Sequence, residues 1–178
     1  QHPFVGAPTY ELKSFKFKNS GHSQLGEDAT PTPIQSGVVG MFKNGVFAHS
    51  PLNGKSYNDS GVWFENSVVS ESASFDLCLG SIQNDTTIEN EGAYNYKTIP
   101  PCVYSINEYM HSPLLGFAKD GFPIYGPVGY SSAGNASSSL KILEPSYRLK
   151  QASSRTDGPA FDSTYVSGYY AQDYEYVN

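Results

Sequence analysis

The sequence has few of the residue patterns that carry enzyme chemistry. Its four histidines are widely spaced, and no HExxH, Cys-x-x-Cys or His-x-His pair marks a zinc site. It also lacks a Gly-x-Ser-x-Gly elbow, a P-loop and a dinucleotide-binding fingerprint. Sequence support for a zinc hydrolase, a nucleotide-binding enzyme or an α/β-hydrolase is therefore missing, and only a triad assembled from distant residues stays open.

Positive charge and long apolar runs are scarce as well. The chain has eleven Lys and Arg and seventeen Asp and Glu, which gives a net charge of −6. A chain without a basic run releases few phosphate counterions, so nucleic acid is not an expected partner. No segment approaches the ~20 apolar residues of a membrane span, and no span is expected.

The abundant residues favour strands and turns. The chain has 14 Tyr and 10 Phe beside 17 Gly and 12 Pro, a composition typical of short strands joined by tight turns. At 178 residues one domain is expected, with a proper core. We predict a mostly β, compact single domain of short antiparallel strands, sandwich-like or an irregular sheet, with long loops and little helix.

Turn residues locate several of these strands. Asn44-Gly45 predicts a hairpin with a type I′ turn over residues 38–47, and Asp120-Gly121 predicts a second hairpin. A further turn is predicted at Asn53-Gly54, inside a polar loop. Alternating side chains predict strands over residues 94–98 and at Tyr174 and Tyr176. Pro123 and Pro127 exclude the second arm of the Asp120-Gly121 hairpin from the middle of a sheet.

Residues 1–33 are assigned to an N-terminal arm and first strand, and residues 34–178 to the main domain, as one folded unit. The chain begins with Gln1 rather than Met, which indicates the mature product of a cleaved secretory leader.

Two cysteines and three sequons favour an extracellular protein. In an oxidising compartment Cys78 and Cys102 form a bridge, whereas in the cytosol they stay free. Asn58, Asn84 and Asn135 each begin an Asn-x-Ser/Thr sequon in a polar, turn-like context, and are candidate glycosylation sites.

The run His-Ser-Pro-Leu-Leu-Gly-Phe-Ala-Lys-Asp-Gly-Phe-Pro-Ile-Tyr-Gly-Pro, residues 111–127, resembles the signature of the YHYH-domain proteins. Residues 37–46, 75–80 and 94–102 are similar to the same family, so that the resemblance covers roughly residues 34–177. It implies a compact secreted or cell-surface domain without a settled reaction.

This chain departs from that family at its histidines. The Tyr-His-Tyr-His run reads Tyr94-Asn95-Tyr96-Lys97 here, and Ser81 stands where relatives carry a further histidine. Imidazole is the usual metal ligand and the usual proton carrier near neutral pH. The departure therefore predicts loss of any metal or acid–base role that those histidines serve in relatives.

A metal site remains the alternative. His111 and Asp120, with His49, are the side chains that could hold a divalent metal ion or act as an acid–base pair. The other interpretation is local: Asp120 accepts hydrogen bonds in its own turn, and His111 bonds a backbone carbonyl. No cofactor is expected under that interpretation.

The tyrosines at the C-terminus are candidates for partner contact, namely Tyr169, Tyr170, Tyr174 and Tyr176. Similar proteins continue beyond this segment with a further aromatic stretch, so a truncated C-terminus is expected, with a second chain, another protein or a glycan covering these rings. The function expected overall is that of a secreted, non-catalytic structural or interaction domain in an extracellular assembly; the alternative is a metal-binding protein or metal-dependent enzyme.

Overall fold

A computed structural model describes residues 36–82 and 93–177. It contains twelve short strands, and helix is confined to one turn of α-helix and two 3₁₀ turns, Ser72–Ser74 and Ala171–Asp173. In chain order the other elements are β1 Val38–Phe42, β2 Phe47–His49, β3 Leu52–Lys55, β4 Phe64–Asn66, α1 Ser67–Ser70, β5 Gly80–Ile82, β6 Tyr94–Tyr96, β7 Leu114–Ala118, β8 Pro123–Tyr125, β9 Val128–Tyr130, β10 Leu140–Ile142, β11 Tyr147–Leu149 and β12 Tyr174–Tyr176. The mostly β fold predicted from composition is confirmed. The predicted N-terminal arm and first strand lie outside the described residues.

The largest sheet has six strands in the order β5-β6-β2-β1-β7-β8. Its pairs are antiparallel except for β2 and β6, which run parallel. Three two-stranded sheets accompany it, formed by β3 with β4, β9 with β10, and β11 with β12. The strand β8 lies at an edge, as Pro123 requires, since proline cannot donate to a second ladder.

The core lies against one face of the six-stranded sheet. Phe42 and Tyr96 meet edge to face with ring centroids 5.6 Å apart, and Ala48 and Leu115 complete the buried cluster. These four side chains come from β1, β6, β2 and β7. Because side chains alternate across a strand, their neighbours in sequence project from the opposite face.

The predicted hairpins are present, but one turn differs in type. Gly45 has a φ of +83°, and its N–H donates to the Phe42 carbonyl at 2.9 Å. The φ angle of Asn44, by contrast, is not positive. A type I′ turn needs positive φ at both positions. The loop is instead a three-residue turn in which only Gly45 is left-handed.

The turn predicted at Asn53-Gly54 is wrong, because both residues lie in β3. The chain reverses after β3, where Tyr57, Asn58 and Asp59 all have positive φ. The Asp59 carboxylate accepts a hydrogen bond from the Lys55 N–H at 2.6 Å and closes this reversal.

A disulfide joins Cys78 to Cys102 across 24 residues, and this prediction is confirmed. In the chain-entropy account a loop of this length contributes about 3.5 kcal/mol. The bridge closes around β5 and β6. No helix within residues 36–82 and 93–177 has the length and apolar character that a membrane crossing needs.

Candidate functional site

A buried polar cluster occupies the face of the six-stranded sheet that points away from the core. Ser81 on β5 and Asn95 on β6 lie directly opposite each other, and Asn95 in turn pairs with Phe47 on β2. His49 follows two residues after Phe47, and Lys97 two residues after Asn95, so strand alternation brings both to this face. We call Ser81, Asn95, His49 and Lys97, with Glu71 beside them, the sheet-face cluster.

His49 is the only imidazole of this cluster, and it is 5% exposed. Burial, followed by the positive charge of Lys97, lowers the pKa of His49 to about 4. The ring is therefore neutral near pH 7. A base with so low a pKa is poorly matched to proton transfer at neutral pH.

Several polar atoms at this face lack a partner. Among the described residues, four buried side-chain atoms make no hydrogen bond, and they are His49 Nε2, Ser70 Oγ, Ser81 Oγ and Asn95 Oδ1. His49, Ser81 and Asn95 belong to the sheet-face cluster, and Ser70 directly precedes Glu71. Buried polar atoms are seldom left unpaired, so their concentration at one face marks the most unusual environment of the described chain.

A salt bridge closes the cluster. Lys97 Nζ donates to Glu71 Oε2, with the two side chains 6% and 29% exposed. The second oxygen of that carboxylate, Oε1, accepts a hydrogen bond from Asn53 Nδ2 at 2.6 Å. Glu71 thus connects an amine that follows β6 to a carboxamide on β3.

The cluster offers few ligands to a metal ion, and its imidazole is not a base matched to neutral pH. Its side chains are one neutral imidazole, one hydroxyl, one amide and one ion pair, and an ammonium has no lone pair to offer a metal. No group of three His, Cys, Asp or Glu that could hold a metal ion occurs in residues 36–82 and 93–177. The contacts that the structure shows among these residues are hydrogen bonds and one charge pair.

The structure does not bring the predicted metal set together. His111 precedes β7 and Asp120 follows it, at opposite ends of the strand, and His49 is buried on β2. His111 Nδ1 lies 2.8 Å from the Ser112 carbonyl oxygen, and Asp120 Oδ1 accepts from the Phe122 N–H at 3.3 Å. Both side chains therefore make the local contacts of the non-metal interpretation.

The C-terminal tyrosines differ in accessibility. Tyr176 is 61% exposed, Tyr169 and Tyr174 are half-buried, and Tyr170 is 1% exposed. Tyr170 packs edge to face on Trp63 at 6.0 Å and beneath the Arg155 guanidinium at 5.0 Å. Burial raises its pKa to about 12. Tyr170 is thus buried against Trp63 and Arg155, and partner contact through the C-terminal tyrosines stays a prediction.

Two of the predicted glycosylation sites lie on the described surface. Asn58 is exposed in the reversal after β3, and Asn135 is exposed in the loop between β9 and β10. Asn84 lies outside the described residues. Glycosylation of these sites stays a prediction.

Sequence reasoning missed a buried ion pair in the C-terminal half. Arg155 donates to both carboxylate oxygens of Asp173, at 2.6 and 2.7 Å, and the side chains are 1% and 4% exposed. Its remaining N–H groups donate to main-chain carbonyls, those of Pro159, Ala160, Tyr165 and Val166. Because these contacts satisfy the guanidinium, Arg155 organises loops rather than binding a ligand. A cavity of about 220 Å³ opens beside it, next to Trp63, Lys150 and Gln172.

Comparison with protein families assigns the chain. The family model described as YHYH protein matches residues 16–178, nearly the whole sequence. The chain belongs to the YHYH protein family. No curated protein and no solved structure matches it.

Three residues of the sheet-face cluster lie at positions that the resemblance associates with histidine. By the resemblance described above, Asn95 and Lys97 correspond to the two histidines of the Tyr-His-Tyr-His run, and Ser81 to a further histidine. The fold gathers these three positions around His49 on one face of the sheet. In this chain none of these three positions carries an imidazole, and His49 is the histidine that the fold places beside them.

Proposed function

We propose that this YHYH protein is a secreted, non-catalytic domain that works by contact with another protein in an extracellular assembly. The proposal has three supports. The disulfide suits an oxidising compartment. The imidazole of the sheet-face cluster, that of His49, has its pKa lowered to about 4 by burial and by Lys97, so it is neutral near pH 7. A tyrosine-rich surface stands open on the small sheet of β11 and β12.

That surface is the observation that carries the proposal. Tyr147 pairs with Tyr176 across the two strands, their ring centroids lie 5.6 Å apart, and each residue is 61% exposed. Leu149, 44% exposed, projects from the same face two residues further along β11. We call Tyr147, Leu149 and Tyr176 the ribbon surface. Tyrosines of this kind supply large, rigid contact area with a hydroxyl for hydrogen bonding.

The backbone of β11 adds to this surface. Val177 N–H bonds the Ser146 carbonyl at 2.7 Å, and Lys150 N–H bonds the Asp173 carbonyl at 2.9 Å. Since hydrogen-bonded and non-hydrogen-bonded pairs alternate in an antiparallel ladder, the N–H and C=O groups of Tyr147 and Leu149 point away from β12. An extended segment of a partner protein could pair with this edge, with its side chains against the ribbon surface.

The experiment compares a double variant with a matched control. Tyr147→Ser with Tyr176→Ser removes both exposed rings of the ribbon surface, whereas Tyr109→Ser removes a tyrosine that is 93% exposed elsewhere. Each tagged protein is cross-linked in the extracellular fraction of its source, and the cross-linked peptides are identified by mass spectrometry. Sedimentation velocity tests self-association, and a glycan array tests sugar as the occupant.

We expect one protein partner whose cross-links reach residues around β11 and β12. The double variant should lose this partner and the control should keep it, with both melting like the wild type. Equal capture by all three proteins would contradict the ribbon surface. A stoichiometric transition metal in the purified protein, lost in His111→Ala or Asp120→Ala, would contradict the non-catalytic assignment.

A further inference from the structure

The salt bridge of the sheet-face cluster brings an amine and a primary amide to the same carboxylate. One carboxylate, that of Glu71, holds an amine on one oxygen and a primary amide on the other. Lys97 Nζ donates to Oε2, and Asn53 Nδ2 donates to Oε1 at 2.6 Å. The Lys97 side chain is 6% exposed, so the amine is shielded from water.

The fold fixes all three side chains. Asn53 lies in β3, and Lys97 directly follows β6 of the six-stranded sheet. Glu71 ends α1, where its N–H bonds the Ser67 carbonyl at 3.0 Å. Ser67 in turn donates to the Pro51 carbonyl through its N–H at 2.8 Å and its hydroxyl at 2.9 Å. The carboxylate is thereby anchored next to the strand that carries Asn53.

We infer that Lys97 and Asn53 condense into an intramolecular isopeptide bond, with Glu71 as the group that transfers the proton. Glu71 accepts a proton from the Lys97 ammonium, and the free amine attacks Cγ of Asn53. Glu71 returns that proton to Nδ2, the Cγ–Nδ2 bond breaks, and the carboxylate takes the second proton from the Lys97 nitrogen as the neutral amide forms. One N–C bond forms, one breaks, and ammonia leaves; no oxidant or cofactor takes part.

The arrangement meets the requirements of this reaction. The amine and the amide are held by one carboxylate, which supplies the proximity that converts an unfavourable bimolecular condensation into an intramolecular one. The carboxylate contacts both the nucleophile and the leaving group, as a general acid–base group must. Burial of the Lys97 side chain, 6% exposed, removes water from around the nucleophile.

The bond would join the small β3–β4 sheet covalently to the six-stranded sheet. Unlike the Cys78–Cys102 bridge, it would survive reducing agents. The inference does not depend on the ribbon surface, since Asn53, Glu71 and Lys97 take no part in β11 or β12. A negative result for either proposal therefore does not affect the other.

Peptide mapping of the full-length, oxidised protein tests the bond. We expect the peptide with Asn53 linked to the peptide with Lys97, at the summed mass less one ammonia. The linked peptide is the required readout, because cyclisation of Gln1 also loses ammonia from the intact chain. Lys97→Arg keeps a cation beside Glu71 without a nucleophile, and Glu71→Gln keeps a partner for Asn53 without the proton transfer; both should melt cooperatively and give only unlinked peptides.

Two results would overturn the inference. In the first, cooperatively folded wild-type protein yields Asn53 and Lys97 only in separate peptides, whether residue 53 is recovered as Asn or, through its Asn-Gly step, as Asp. In the second, the link persists in Glu71→Gln at the wild-type extent, which would remove the carboxylate from the mechanism.

Discussion

Two arginines of the C-terminal half show how much an ion pair depends on its surroundings. Arg155 and Asp173 are almost fully buried, whereas Arg148 and Glu144 are 65% and 77% exposed at a distance of 3.3 Å. Burial alone would raise the pKa of Asp173, but hydrogen bonds from Arg155 and from the N–H groups of Tyr170 and Gly168 outweigh it and hold the pKa below its usual range. The carboxylate is therefore charged and fully engaged inside the fold.

Arg155→Met should be strongly destabilising, because it leaves the Asp173 carboxylate buried without its cation. We expect a loss of about 3–5 kcal/mol in the free energy of unfolding, measured by chemical denaturation. Arg148→Met removes a solvent-exposed arginine from a pair at four-residue spacing, and should cost about 0–1 kcal/mol. Equal costs for the two variants would show that the buried pair is not what holds the C-terminal loops.

His49 sets the pH dependence of stability. Its pKa is about 4 in the folded protein and 6.5 in an ordinary environment. Between pH 6.5 and pH 4, His49 is protonated in the unfolded chain but stays neutral in the folded protein. The free energy of unfolding should therefore fall as the pH drops from 6.5 towards 4, by up to about 3 kcal/mol, and then level off for this group.

Denaturation curves at a series of pH values measure this effect. His49→Gln should flatten the profile between pH 6.5 and 4. The contribution of Asp173 lies lower, since its pKa is held below the usual range. If His49→Gln kept the wild-type slope, another group would have to carry it.

Residue chemistry was only partly predictable from the sequence. The local roles of Asp120 and His111 follow from the turn residues beside them. The burial of Arg155 and Tyr170 does not, because both stand in polar, turn-rich stretches where an arginine normally reaches water. Arg155 and Tyr170 are buried by contacts with Trp63 and Asp173, and no local sequence pattern predicts such distant contacts.

At the scale of elements, glycine determines how closely β1 and β7 approach. A Cβ atom at Gly116 would stand 2.2 Å from the Met41 carbonyl oxygen and 2.8 Å from Phe42 Cα. Both are main-chain atoms, so the two strands would have to separate. This glycine lies in β7, the first arm of the Asp120-Gly121 hairpin.

Gly116→Ala should therefore lower the free energy of unfolding by about 1–3 kcal/mol, the range of overpacking in a filled interior. Gly54→Ala is the matched control on a strand, since a Cβ there meets only the Asp59 carboxylate, at 3.4 Å. Thermal and chemical denaturation of both variants would measure the difference. A neutral Gly116→Ala would mean that β1 and β7 can part without loss.

Element prediction succeeded where turn chemistry and alternation agreed. The strands around Asp120-Gly121 and the final strand Tyr174–Tyr176 are confirmed. The turn at Asn53-Gly54 was predicted because this dipeptide favours turns. The residues instead extend β3, since Lys55 pairs with Phe64 on β4. Tertiary pairing overrode local propensity at this point.

At the scale of the whole molecule, long-range hydrogen bonds connect β4, early in the chain, to the loops near the C-terminus. Asn66 N–H bonds the Tyr169 carbonyl at 2.7 Å, and Phe64 N–H bonds the Gln172 side chain at 2.9 Å. These contacts attach the C-terminal loops to β4 over about a hundred residues of chain. Composition predicted a mostly β domain, but strand order and these long-range contacts lay beyond any local signal.

The strand order also has a kinetic consequence. The six-stranded sheet consists of three local hairpins, β1 with β2, β5 with β6, and β7 with β8, joined by the distant pairs β1–β7 and β2–β6. Hairpins close within microseconds, whereas distant pairs wait on loop closure. The Cys78–Cys102 bridge encloses both β5 and β6. The order in which the thiols are oxidised and the strands assembled should thus govern how fast the chain folds.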